Sequence, residues 1–403
     1  MATVRRRLRS GHAVWEERRA IPVPHARLRG DAQADILVMG AGITGALIAD
    51  ALAAAGRDVA IVDRRGLAKG STLASTALVQ SELDTPLTKL VRKIGKTDAV
   101  RAWRRSRLAV EALAVRLSEL DVPSVARRDT LYLAGSVLDG EALWREHIAR
   151  RASGLASRFL DRRALRAAFG IRREAALQSF GNLVIDPRRT TLGLLRAATD
   201  NGARIFAPSD IVHVRPGKHG VTLTAAGGQA LQCRHLVFAT GYELPHGVPR
   251  RHHCINSTWA IATVPQRRSR LWPGECTILE ASDPYLYIRT TDDGRVICGG
   301  EDEDIADEEE RDALLPRKAR VLTRKLGRLL PKLDTRLAYA WSGAFGETTT
   351  GLPIIGQVPG MPHCWVALGY GGNGTTYASI AADVLVGALS GQPDADADLY
   401  DFQ

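Results

Sequence analysis

The sequence predicts an α/β protein in which a parallel-sheet, nucleotide-binding domain is interrupted along the chain by a second, mixed-sheet α+β domain. Three observations predict it. Residues 35–63 read as strand, glycine turn, helix, strand. The middle of the chain, from about residue 211 to 300, changes to period-two alternation punctuated by glycine turns. Residues 367–385, ALGYGGNGTTYASIAADVL, then return to a glycine cluster that opens onto an Ala-rich helical pattern. At 403 residues the chain is long enough for two or three domains and a large core.

The elements follow in order. DILVM at 35–39 is a short apolar strand, a helix follows over 45–55 with Gly56 as its C-cap, and DVAIVD at 58–63 is the second strand of a βαβ opening. Apolar positions three and four apart predict helices within 86–120, and again at 140–154 and 161–170, with a strand at 130–135 between them. DPRRTTLGLLRAATDNGARIF at 186–206 gives a helix and then a strand, and a β-meander fills 211–241. STWAIATV, TILEA, YLYIRTT and RVICGG are further strands. Residues 307–330 form a helix whose acidic start and basic end suit the helix dipole. The expected division is a basic, flexible N-terminal arm at 1–33 and a discontinuous dinucleotide-binding domain at 34–120, 186–250 and 336–390. A substrate domain takes 121–185 and 251–335, and a tail takes 391–403.

The formal charge is +11, but only eight of the 55 basic residues are Lys and the Arg residues are scattered, with no basic stripe interleaved with aromatics. That argues against nucleic acid as a partner. The longest apolar patterns, such as 378–389, stop short of the ~20 residues that span a bilayer. No apolar block follows the basic start, and Glu16 and Glu17 argue against a transit peptide, so the expected location is the cytoplasm. Five cysteines without a C-x-x-C pair fit a reducing compartment. RHHC at 251–254 has no partners at ligand spacing and is read as surface or core, with no metal expected.

Gly40, Gly42 and Gly45 form G-x-G-x-x-G between the first strand and helix. The first glycine makes a tight turn, the second admits a pyrophosphate to the backbone, and the third lets helix and strand pack closely. The helix start then offers N–H groups and a positive dipole end to phosphate. Asp63, at the end of the second strand, suits a ribose diol and would repel a 2′-phosphate. Ser71, Thr72, Ser75 and Thr76 in KGSTLASTALVQ sit where the sequence predicts another helix start. They are either phosphate or cofactor contacts or an ordinary cap.

The whole pattern resembles the FAD-dependent oxidoreductases that include D-amino acid oxidase, glycine oxidase, sarcosine oxidase and γ-glutamylputrescine oxidase. The carriers are VMGAGITGALIADALAAAGRDVAIVD, GSTLASTALVQ, DPRRTTLGLLRAA, VFATGY, PYLYIRTTDDGRVICGG, WSGAFGETTTGLPIIG and ALGYGGNGTTYASIAADVL, spread over about residues 15–390. The resemblance implies a Rossmann-like FAD domain. Gly40, Gly42, Ile43, Thr44, Gly45, Asp63 and Arg64 would hold the ADP half, with Ser71, Thr72, Ser75, Thr76 and Leu78 alongside. Thr240 and Gly241 would lie close to the cofactor and the Val212 backbone would meet adenine. The helix start at Gly371, Gly372, Asn373, Gly374 and Thr375 would face the flavin ring, where N–H groups stabilise negative charge near N1 and O2. Sarcosine-oxidase-like members attach flavin through a Cys near WSGAFGETTTG. No Cys lies between 299 and 363 here, so FAD is expected to be non-covalent.

The resemblance implies hydride transfer from the carbon next to an amine to flavin N5, giving an imine that water hydrolyses, with O2 or another acceptor taking the electrons. Glycine-oxidase-like members clamp the substrate carboxylate with two Arg residues. Phe345 and Gly372 stand at those positions here, and Thr350 stands at the usual acid. A simple α-amino acid is therefore in doubt, and a larger amine or amine-linked acid is as good a candidate. Strand alternation puts Tyr285, Tyr287 and Arg289 on one face of YLYIRTT. Tyr287 and Arg289 then either line the substrate cavity or face solvent. Trp341 and Tyr370 either shield the flavin or fill core. Two other readings keep the fold and change the function: a FAD-linked 2-hydroxy-acid dehydrogenase, or a flavin-bearing subunit that only relays electrons.

Overall fold

In the computed structural model of the chain, residues 2–249 and 253–402 are described. Strand Ala32–Met39 explains the architecture. Its last four residues, Ile36 to Met39, are all buried, because the sheet is covered on both faces. Ile36 and Val38 join a core with the helices Ile43–Ala54, Pro187–Asp200 and Gly374–Leu389. Leu37 and Met39 point the other way, into a core with the strands Ile211–Pro216 and Val221–Ala225. Around this strand runs a parallel set in the order Arg204–Phe206, Val59–Val62, Ala32–Met39, Ala230–Phe238, Cys364–Leu368, with Ile354–Gln357 antiparallel at the edge.

The second sheet has ten strands and mixed direction. Leu337–Thr348 and His253–Thr263 pair antiparallel along their length, and Val296–Glu303, Leu286–Thr290 and Thr277–Glu280 continue the sheet. Thr277–Glu280 then pairs parallel with Ala126–Leu133, which pairs antiparallel with Ala175–Val184. The helix Glu308–Leu329 covers one face through Leu322, Leu326 and Leu329, and the Asp307 side chain caps it by accepting from the N–H groups of Glu309 and Glu310.

Two expectations are corrected. The strand Leu337–Thr348, placed by sequence in the dinucleotide domain, belongs to the second sheet, because its ladder partner is His253–Thr263. The N-terminal arm is not a flexible appendage. Arg9–His12 is an edge strand on Leu337–Thr348, and Ala13, Val14 and Trp15 are buried apolar residues that anchor it. Of the RHHC stretch, residues 251 and 252 lie outside the described residues, and His253 and Cys254 open a strand. Among the described residues no helix is long and apolar enough to cross a membrane.

Candidate active site

Both glycine-rich helix starts open onto one cavity of ≈ 420 Å³, which Gly40, Gly42, Ile43 and Thr44 line from one side and Tyr370, Gly371, Gly372, Gly374 and Thr375 from the other. At the first start the backbone leaves no room for side chains. A Cβ on Gly40 (φ +123°) would lie 2.3 Å from the Ala239 carbonyl oxygen, and one on Gly45 would lie 1.8 Å from that of Gly40. The first turn of a helix has no internal acceptors for its N–H groups. The Ile43 N–H donates to Thr72 Oγ1 at 3.0 Å, and Gly42 and Thr44 line the cavity beside it. Ser71 Oγ, alongside, is buried and has no partner.

Asp63 is more fully engaged than its sequence position suggests. Oδ2 accepts from the Ala41 N–H at 2.8 Å, and Oδ1 accepts from those of Arg65 and Gly66 at 2.7 and 3.0 Å. Burial pushes its pKa up, against the pull of those three donors and of Arg65. Arg64 and Arg65 both bind Glu243, which is buried beyond the strand end at Phe238. Thr240, Gly241 and Leu78 line the cavity. Val212 does not; its neighbours Ser209, Asp210 and Ile211 do.

The short turn Ser71–Ala74 and the residues after it pass along the cavity with their carbonyls pinned from behind. Trp341 Nε1 donates to the Ala74 carbonyl at 2.9 Å and Trp15 Nε1 to that of Ser75 at 2.7 Å. Arg289 Nη1 donates to Thr76, Ala77 and Ile185 carbonyls at 3.2, 2.7 and 2.8 Å. This corrects the placement expected for Arg289, and for Trp341 it fits the core reading of the two. Arg289 neither lines the cavity nor faces solvent: it is 2% exposed, with its guanidinium 5.4 Å from the Trp15 ring. Trp341 is likewise buried behind the loop, because its indole N–H needs the Ala74 carbonyl.

The far chamber is walled by Tyr285, Tyr287, Tyr242, Tyr370 and Phe345. Tyr287 lies across Gly299 of the neighbouring strand, where a Cβ would fall 2.3 Å from the ring. Sequence reasoning missed the three carboxyls in this chamber: Asp84, Asp302 and Glu347. Asp84 sits in the loop before helix Leu87–Ile94, is open to the cavity, and accepts from the Gly372 N–H at 2.6 Å. That N–H is therefore already used, which leaves Gly374 and Thr375 as the donors at this helix start. Asp302 comes from a β-bulge: Trp259 pairs with Gly300 and Ser257 with Glu303, so two residues oppose one and Asp302 turns into the cavity. Glu347 Oε2 accepts from Asn256 Nδ2 at 3.0 Å.

These carboxyls sit far from the protonation behaviour of free side chains. Burial, and then the Glu347 charge, push Asp84 up to about 7 against the pull of the Gly372 N–H. Burial pushes Asp302 up to about 7, with Glu347 and Asp84 adding to it and Thr258 and Lys318 opposing it. Glu347 is also raised, by burial and by Asp304. Tyr287 is held above its ordinary value by burial and by the Asp302 charge, and its hydroxyl is 3.3 Å from Thr258 Oγ1.

A glycine-cradled strand–helix start, a second glycine-to-helix start and one cavity joining them define a protein that binds a long dinucleotide and carries out chemistry at its far end. The chain belongs to the FAD dependent oxidoreductase (DAO) family, whose profile matches residues 35–388. It is 22% identical to the probable oxidoreductase OrdL of Haemophilus influenzae over 90% of this chain and 84% of that protein. It is 24% identical to the glycine oxidase of Bacillus licheniformis over 89% of this chain and 94% of that protein. The crystal structure of glycine oxidase from Geobacillus kaustophilus matches with a TM-score of 0.74 at 18% identity, covering 90% of this chain and 96% of that one. L-proline dehydrogenase from P. horikoshii matches with a TM-score of 0.76 at 17% identity, covering 92% and 97%. The protein is thus an FAD-dependent oxidoreductase. The residues present fit that cofactor: the Gly40–Gly45 cradle excludes side chains, Ser71 Oγ is an orphaned buried donor, and both helix starts turn toward one cavity.

Proposed function

We propose that the chain oxidises the C–N bond of an amine or amino-acid-like substrate, using non-covalent FAD, and passes the electrons to O2 or another acceptor. Gly40, Gly42, Thr44, Ser71 and Thr72 would hold the phosphates, and the Gly374 and Thr375 N–H groups would meet the ring. Bound FAD supplies the two-electron acceptor: hydride leaves the carbon, the nitrogen lone pair closes the C=N bond, and water hydrolyses the imine. The chain's own contribution is to orient that C–H bond and to set the protonation of the nitrogen. An ammonium has no lone pair to close a C=N bond. Carboxyls that titrate near neutrality, as Asp84 and Asp302 do, are suited to take its proton.

The observation that carries this reading is the chamber itself, where tyrosine and carboxyl oxygens supply acceptors for an N–H-bearing substrate. Two comparisons support it: the relatives named glycine oxidase and the structural neighbour named L-proline dehydrogenase. A 2-hydroxy acid fits less well, since no lysine or histidine is among the described residues lining the cavity, and its two arginines are both bound to Glu243. Anaerobic bleaching of the reconstituted yellow protein by a panel of amines, amino acids and hydroxy acids tests the proposal. Bleaching by an amine or amino acid is the expected result, and bleaching by hydroxy acids alone would refute it. A peroxide assay in air then separates oxidase from dehydrogenase.

A further inference from the structure

We propose that the chamber beside Gly371–Thr375 takes an alkyl substrate bearing two amino groups and no carboxylate, a di- or polyamine, with its second ammonium held among Asp84, Asp302 and Glu347. The proposal rests on the amine-oxidation reading above and narrows it.

Charge is the first argument. The three carboxyls come from segments far apart in sequence, yet the Glu347 charge acts on both aspartates, and Asp84 acts on Asp302. No cation in the cavity answers them. Arg64 and Arg65 are the only basic side chains among the described lining residues, and both are bound to Glu243. Lys318, which acts weakly on Asp302 from outside, is already committed to the Glu301 carbonyl at 2.6 Å and to Glu303. Lys93, which acts on Glu347, is an exposed residue of the helix Leu87–Ile94.

Hydrogen bonding is the second and independent argument. Gln80 lines the same cavity, is 6% exposed, and its Oε1 has no partner, while its Nε2 is turned to the Glu82 carbonyl at 3.3 Å. Asp302 Oδ1 is also buried without a partner. Both are acceptors waiting for a donor. An ammonium brings three donors and no acceptor, whereas a carboxylate would add two acceptors and a like charge, which costs affinity. The Tyr285 and Tyr287 rings, 5.7 Å apart, add π faces that favour a cation.

The need for two nitrogens follows from the chemistry. The nitrogen on the oxidised carbon must be neutral when hydride leaves, so a monoamine brings no positive charge in its reactive state. A second ammonium supplies the charge that the carboxyls leave unanswered.

The test uses FAD-reconstituted protein under anaerobic conditions, titrated with 1,4-diaminobutane, 1-aminobutane, 4-aminobutanoate and glycine. The perturbation of the visible spectrum reports binding and its bleaching reports turnover. The diamine should bind about tenfold or more tightly than the monoamine, as expected for a partly desolvated charge pair, and 4-aminobutanoate should bind worst. Glu347→Gln should weaken the diamine several-fold, leave binding of 1-aminobutane nearly unchanged, and keep the FAD content of the parent. Equal binding of 4-aminobutanoate and 1,4-diaminobutane would overturn the proposal, as would a Glu347→Gln protein that binds the diamine like the parent. Bleaching by glycine without any response to the diamine overturns it while leaving amine oxidation standing. A protein bleached only by hydroxy acids overturns both.

Discussion

Arg289→Met is the sharpest test of how the cavity is held together. Arg289 is buried and its pKa is pulled down to about 9 by burial, so it still carries its charge near neutrality. Its hydrogen bonds all go to carbonyls, Thr76, Ala77 and Ile185 on Nη1 and Thr290 on Nε at 2.9 Å, while the Asp186 and Asp292 charges favour it from further off. Removing the guanidinium leaves the Ala77 carbonyl with the Ile185 N–H at 3.3 Å and Thr290 in its ladder opposite Val296, but Thr76 and Ile185 lose their donor. A buried carbonyl stripped of its partner costs about 1–3 kcal/mol. Two of them give roughly 2–6 kcal/mol, reduced because the variant no longer buries a charge. A net loss of about 3 kcal/mol is therefore expected. The loss falls on the loop that carries Ser71 to Leu78, where Ala77 already holds a positive φ of 58°. FAD retention should thus fall along with the melting temperature. Fluorescence titration of the apoprotein with FAD and a thermal melt with and without cofactor measure both. Arg289→Lys, with a single point of donation, should lie between the two. An Arg289→Met protein that binds FAD like the parent and melts within about 2 °C of it would refute the reasoning.

Three further outcomes are expected. Gly45→Ala places a Cβ 1.8 Å from the Gly40 carbonyl oxygen, a backbone atom that cannot move aside, so the purified protein should be colourless and should not recover a flavin spectrum with added FAD. In Gly299→Ala the nearest atoms to the new Cβ belong to the Tyr287 ring, the far end of a side chain that can swing away. Stability should fall by about 1–3 kcal/mol through overpacking, read as a modestly lower melting temperature, while KM for the bleaching substrate changes several-fold and FAD content holds. The pH dependence has a definite sign. Asp84 and Asp302 are raised from ordinary carboxyl values to about 7, so between about pH 4 and 7 the native state binds more protons than the unfolded chain, and stability falls as pH rises through that window. The groups facing them are Glu347, Tyr285, Tyr287, Thr258, Lys318 and the Gly372 N–H. Melting curves from pH 5 to 8.5 should show the Asp84→Asn/Asp302→Asn protein gaining on the parent as pH rises; a constant difference would contradict the raised values.

What the sequence makes legible is whatever is local. The G-x-G-x-x-G turn, the apolar strand before it and Asp63 after it are fixed by steric limits within thirty residues, and each is read from residue type and spacing. The period-two strands of the second domain are equally plain. Long-range pairing is not local. Nothing in WSGAFGET states that it pairs with His253–Thr263 rather than with the parallel sheet, and nothing in RSGH states that it adds an edge strand to it. The AVW run at 13–15 was a usable signal, since a tryptophan between two apolar residues and a glutamate pair is ill suited to a solvated arm. Alternation in YLYIRTT correctly groups Tyr285, Tyr287 and Arg289 on one face. It does not register that Tyr287 stands over Gly299 and the cavity, whereas Arg289 has moved along the strand to the back of the Ser71–Leu78 loop.

The carboxyl chamber was invisible for a different reason. Asp84 follows a helix-free loop, Asp302 needs a two-for-one bulge, and Glu347 sits in a strand assigned to the wrong sheet, so each looks like an ordinary surface acid. One sequence signal does point there: at the two positions where the resemblance leads one to expect carboxylate-clamping arginines, this chain carries Phe345 and Gly372. That substitution removes cations without supplying anything, and a cavity that merely lost its clamp would be neutral. Here the Gly372 N–H is bonded to Asp84 and the strand carrying Phe345 presents Glu347 two residues later, so acids now occupy the chamber at both positions. A carboxylate would have to bind in this chamber against Asp84, Asp302 and Glu347, and that is the charge argument for the amine-bearing ligand proposed above.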